Sequence, residues 1–198
     1  MRDSARRRTL LVRVRSGGCL SVLALVLLAC APRQVPQLRV SSMGQQLPLA
    51  GHFAGRSSVD DGILTLQLDT VRVTRGAGGD VEHLPLRDVS VRAVVVTDSA
   101  RHWIPVGVSE AVDVAGAIGP GETRDIGALV MALPLPPDTR MENLWVVFQL
   151  RAMAPLPGGG EREVVAHACS TTPLGGPTAA SRNHARRLQA DYIGTCRL

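Results

Sequence analysis

The hydrophobic and polar positions divide the chain into four stretches: an apolar run, an aperiodic polar stretch, a long region of two-residue alternation, and a short tail with helical spacing. The alternation starts at Leu64, Leu66 and Leu68, which are interleaved with Thr65, Gln67 and Asp69 as on a half-buried strand. The apolar phase then moves to Val71 and Val73. A one-residue phase change inside a strand predicts a bulge near Asp69–Thr70. Gly76-Ala77-Gly78-Gly79-Asp80 is expected to turn the chain. The next strand is Val89–Thr97, with Val89, Val91, Ala93 and Val95 in phase. Residues 98–103 read as a turn and Ile104–Val114 as a broken, weakly β segment. Pro120-Gly121 presets a turn that demands positive φ at its second position. Ile126–Leu135 is a further strand, closed by Pro136-Pro137-Asp138. The clearest strand is Leu144–Ala152, whose Leu144, Val146, Phe148 and Leu150 share one face. Pro157-Gly158-Gly159-Gly160 turns it back, so that Glu163–Cys169 runs antiparallel to it.

After this region the period changes. In residues 178–192, His184, Leu188 and Tyr192 fall at i, i+4 and i+8, with Pro177 before and Gly194 after, which predicts a short helix with Arg182, Arg186 and Arg187 in water. Short strands, Gly/Pro turns about every ten residues and no long helical period spell a mainly β sandwich or barrel with a short C-terminal helix. The organisation expected is a targeting segment over 1–29, a flexible tether over 30–46, a β domain over 47–175 and a helical tail over 176–198.

Charge changes the picture at the N-terminus. The chain carries a formal +5, but residues 1–29 hold six arginines against Asp3 and account for all of it. From Cys30 onward 16 arginines balance 16 acidic residues, so that part has no electrostatic footprint for nucleic acid. Lysine is absent. The basic segment precedes the apolar run Gly17–Ala29, the order of a secretory signal. The uninterrupted run Cys19–Ala29 is 11 residues, roughly 16 Å as helix against a hydrocarbon core of ~30 Å, too short for a permanent span.

Leu27-Leu28-Ala29-Cys30 resembles the lipobox of bacterial lipoproteins. The resemblance implies diacylglyceryl transfer to the Cys30 sulfur, cleavage before Cys30, and a protein tethered to a membrane of the cell envelope through lipid. A plain cut after Ala31 is disfavoured because Pro32 would follow the scissile bond. Leu28 departs from the smaller residue that the family prefers. Arg7-Arg8-Thr9-Leu10-Leu11 resembles a twin-arginine signal, but Arg13 and Arg15 interrupt the apolar stretch behind it, which favours the general secretory route. Ala31 at the second mature position, in place of aspartate, directs such a protein in a Gram-negative envelope to the outer membrane, facing the periplasm. Residues 86–152 are similar to immunoglobulin- or fibronectin-type modules of exported bacterial proteins, on the strength of Val89–Thr97 and of Gly119-Pro120-Gly121-Glu122-Thr123. That likeness implies an antiparallel immunoglobulin-like β-sandwich with a binding or spacing role, and by itself licenses no activity.

Little points to catalysis. There is no Gly-x-Ser-x-Gly, and Ser-x-x-Lys is excluded without lysine. Asp60-Asp61-Gly62 reads as a turn into a strand. The chain is therefore read as a non-catalytic binding or structural module without cofactor, whose partner is an envelope protein or a glycan. Cys169 and Cys196 are an even pair in an oxidising compartment and read as a disulfide, closing a loop of about 27 residues worth roughly 3 kcal/mol. The alternative is zinc held with His167 and His184, but the spacing matches no familiar ligand pattern. His52, His83 and His102 read as solvated. Trp145 falls opposite the Leu144–Leu150 core set, and is either covered by a loop or the helix, or an interface anchor or sugar platform with Trp103.

Overall fold

The computed structural model describes residues 37–41, 49–76, 84–99, 102–177 and 181–194. In chain order the elements are β1 (Gln37–Ser41), β2 (Leu49–Asp60), β3 (Ile63–Arg75), β4 (Leu86–Ser99), β5 (His102–Val108), β6 (Val112–Ile118), β7 (Thr123–Asp125), β8 (Leu129–Pro134), a 3-10 turn (Met141–Asn143), β9 (Leu144–Pro155), β10 (Glu161–Ser170) and helix α1 (Ser181–Gly194). The protein is mainly β, as its alternation demands.

All ten strands belong to one antiparallel sheet, with the path β5-β4-β9-β10-β1-β2-β3-β7. Two strands share the outer edge of β4: β5 pairs with Val94–Ser99 and β6 with Leu86–Val91. The arrangement repeats on β3, where β8 pairs with Ile63–Leu68 and β7 with Arg72–Thr74. The weakly β segment 104–114 is therefore two strands and not one, separated by Ser109, whose N–H and hydroxyl both bond the Ala93 backbone. Likewise the strand expected over 126–135 begins only at Leu129, because Gly127 at φ +80° and the Asp125 carboxylate that accepts its N–H form a turn before it.

The sheet rolls over its own inner face. Phe53 of β2 stacks on Phe148 of β9 with centroids 4.2 Å apart, although β1 and β10 lie between those strands in the sheet. Leu64, Leu66, Leu68, Val71, Val89, Val91, Val95, Leu144, Val146 and Leu150 fill the space between, each with no exposed surface. Full burial of side chains of this size is worth ~1.5–3 kcal/mol apiece, so this inner face holds the fold. The two ends of the sheet meet without a ladder among the described residues: a Cβ on Gly107 of β5 would sit 3.0 Å from the Pro134 carbonyl oxygen of β8.

Two local features follow closely from sequence. β2 and β3 are joined by Asp61 and Gly62 at φ +47° and +75°, the two-residue turn that suits the twist of a hairpin. Further along the same pair, Ala54 faces Thr70 while Gly55 faces Leu68, which leaves Asp69 as the extra residue of a bulge where the phase change placed one. Gly55 is obligatory there, since a Cβ would lie 2.1 Å from the Gln67 carbonyl oxygen.

The stretch expected to be a flexible tether contains a strand. Residues 37–41 form β1 between β2 and β10, with Leu38 and Val40 buried and Gln37 and Arg39 outward; the surrounding prolines and glutamines mask this two-residue alternation. The residues between 76 and 84, including most of the Gly-rich turn and His83, lie outside the described residues, as do residues 1–36 with the expected targeting segment and Cys30.

Candidate functional site

The outer face of the central strands carries the residues that the sequence singled out. Because β9 is regular, Trp145 and Val147 point away from Phe148, and their cross-strand neighbours Val96 and Cys169 join them. Helix α1 lies on this patch and contributes Ala185 and Leu188. Trp145 is left 1% exposed and Trp103 of β5 8%, and the two indoles meet edge to face at 5.9 Å. They do share one face, but the helix covers both rings, so they form a second small core in place of an open platform for sugar or protein.

Charge fastens the lid. Asp98 closes β4 opposite Trp103 and pairs with Arg187 of α1; its other oxygen is 3.7 Å from His184. The Arg187 guanidinium also lies 5.2 Å from the Trp103 ring centroid. Arg187 is thus not the solvated residue that helical spacing suggested. The helix has little apolar surface of its own, and a carboxylate at the sheet edge recruits its inner arginine. Arg182 and Arg186 do face water.

Below the helix the same face turns polar. Arg92, Gln149 and His167 form one cross-strand row. Gln149 Oε1 accepts from Arg92 Nε at 2.6 Å and from Arg151 Nε at 3.3 Å, which obliges its amide nitrogen to donate to His167 Nε2 at 3.2 Å. His167 is therefore neutral, with its proton on Nδ1. Burial, and the Arg92 and Arg151 charges, push its pKa below the ordinary imidazole value. Arg151 continues to Glu163 at 3.2 Å.

The zinc alternative finds its residues dispersed: His167 is engaged with Gln149, His184 stands by Asp98, and among the described residues no three His, Cys, Asp or Glu gather as ligands. Cys169 is buried beside α1, and Cys196 lies outside the described residues. His52 and His102 are exposed.

The cavity that sequence reading did not find lies on the outer face of β1, β2 and β3. It measures about 420 Å3, within the ordinary range for small-ligand sites. Ala54 and Gly55 make a low floor, and Arg39, Arg56, Asp69 and Thr70 rise around it. Arg56 Nε is held by Gln67 Oε1 at 3.0 Å. The only advance signal was the bulge, which sets Asp69 beside Thr70 on the outer face between inward Leu68 and Val71. No family model matches the chain, and comparison with the curated proteins and with the solved structures found no match.

Proposed function

We propose that this protein is a lipoprotein of the bacterial cell envelope, anchored through lipid on Cys30, whose β domain is a non-catalytic binding module. The observation that carries the reading is Leu27-Leu28-Ala29-Cys30 at the end of a basic-then-apolar leader, followed by a chain in which positive and negative charges balance. Gln37, the first residue of β1, is seven residues beyond Cys30, so the domain stands no more than about 25 Å from the lipid. Among the described residues no helix is long and apolar enough to cross a membrane.

Within the same proposal, Cys169 and Cys196 are bonded, which ties the end of α1 to β10 and reinforces a helix that buries few apolar side chains. Within this reading the domain is an immunoglobulin-like module; what supports it is that Phe53 and Phe148, on separate parts of the sheet, meet across one core, and that the Val89–Thr97 segment pairs with β9. Fractionation tests the anchor. Wild-type protein should sediment with membranes and resist alkaline carbonate extraction, whereas Cys30→Ser should be extracted. Equal extraction of the two would overturn the proposal.

A further inference from the structure

The geometry points to the groove at the Asp69 bulge as a binding site for a small zwitterion that carries both an ammonium group and a carboxylate, such as a free amino acid or a dipeptide. This deepens the binding-module reading and rests on it, but not on lipidation.

Three features converge. The first is fixed concavity. On the outer face of β2 only the Ala54 methyl group stands between Arg39 and Arg56, and Gly55, held against the Gln67 carbonyl at the bulge, adds nothing to that face, so the floor stays low between the longer arginine side chains. The second is spacing. Arg39 stands directly opposite Ala54, and Arg56 lies two residues further along the same strand and face, which makes the arginines diagonal neighbours with Cα atoms about 7–8 Å apart. Two guanidiniums so placed can close on one carboxylate, each offering paired N–H donors. Arg56 is already steadied by Gln67 through Nε, which leaves its terminal nitrogens for a ligand.

The third is the acid. Asp69 follows inward Leu68 and faces outward, the bulge sets Thr70 beside it on the same face, and among the described residues neither the Asp69 nor the Arg39 side chain makes a hydrogen bond or ion pair. A groove lined by arginines alone would take any anion. An unpaired carboxylate within it repels a dianion such as phosphate and rewards a ligand that brings its own cation. Thr70 in the Arg39 row adds a hydroxyl that can donate or accept. An α-amino acid group meets these demands together: carboxylate to Arg39 and Arg56, ammonium to Asp69.

The test is a titration of the mature protein, purified from the cells that produce it, with alanine, alanyl-alanine, acetate and ethylammonium, followed by calorimetry and by amide shifts of residues 37–39, 54–56 and 67–70. The zwitterions should bind saturably, at least tenfold more tightly than acetate or ethylammonium. Tighter binding of alanine identifies the free amino acid as the ligand class, and tighter binding of alanyl-alanine, whose charges the peptide bond separates, identifies a short zwitterionic peptide. Arg39→Gln should weaken zwitterion and acetate alike, tenfold or more. Asp69→Asn should weaken the zwitterion tenfold while leaving acetate unchanged or tighter. That ratio is read within one folded variant, and both side chains are exposed, so loss of fold cannot imitate it. No saturable shift with either zwitterion, or an Asp69→Asn variant with an unaltered zwitterion-to-acetate ratio, would overturn the assignment. Failure here with Cys30 still lipidated would remove the groove and leave the anchor standing.

Discussion

Replacing Trp145 by alanine probes the seating of helix α1 directly. Trp145 is 1% exposed, with Trp103 at its edge and His184 of the helix 6.3 Å from its ring centroid. Removing the indole sacrifices its transfer free energy and leaves a cavity that Val96, Val147 and Leu188 cannot fill. Such changes cost about 3–5 kcal/mol, and the edge-to-face pair with Trp103 adds about 0.5–1.5 kcal/mol. A loss of at least 3 kcal/mol is therefore expected in urea melts followed by far-UV circular dichroism. Leu188→Ala, from a side chain with no exposed surface, should cost about 2–3 kcal/mol by itself. Because the two side chains share one cluster, the double variant should fall short of the sum by more than 0.5 kcal/mol. If Trp145→Ala loses no more than about 0.5 kcal/mol, as an ordinary surface residue would, the helix does not cover this face and the reasoning fails.

Other expectations come from separate parts of the structure. Gly55→Ala should destabilise by about 1–3 kcal/mol in the same melts and shift the amides of residues 67–70, since the new methyl meets backbone and not a yielding side chain; an unshifted spectrum would argue against the bulge. Asp98→Ala should cost about 1–2 kcal/mol, because Arg187 loses its counter-ion while half-covered on Trp103, and raising the salt concentration should shrink the difference only slightly. For His167 the folded pKa lies below the unfolded one, so the unfolded chain binds the extra proton. Stability should fall as pH drops from about 6.5 toward the folded value and be unaffected above it. His167→Gln should flatten that slope between pH 7 and 5, whereas an unchanged slope would show that His167 does not titrate as argued.

How much was legible in the residues depends on how strongly each strand alternates. β9 declared itself because its inward positions are Leu, Val, Phe and Leu, and β10 because a glycine-rich turn returns it with Val164, Ala166 and Ala168 in phase. The bulge was visible because leucines and valines flank it in opposite phase. β2 escaped notice: its inward positions include Gly51, Gly55 and Ser57, and only Leu49 and Phe53 mark the core. β1 hid inside a polar, proline-rich stretch for the same reason. The division of one edge between β5 and β6, and the rolling of one continuous sheet, are facts of pairing that two-residue periodicity cannot encode. The outward direction of Trp145 followed from alternation, but its burial depended on where the helix lands, which Asp98 and Arg187 help to decide from 89 positions apart. The groove was illegible for a further reason: its side chains come from three strands whose register had to be known first.

The central claim is the lipid on Cys30, and metabolic labelling followed by mass spectrometry of the N-terminal peptide tests it most directly. Cells given labelled palmitate should incorporate it into the wild-type protein, and the mature N-terminus should be a cysteine bearing diacylglyceryl mass. The Cys30→Ser protein should take up no label. Label in both proteins, or an unmodified mature N-terminus at Pro32, would contradict the account.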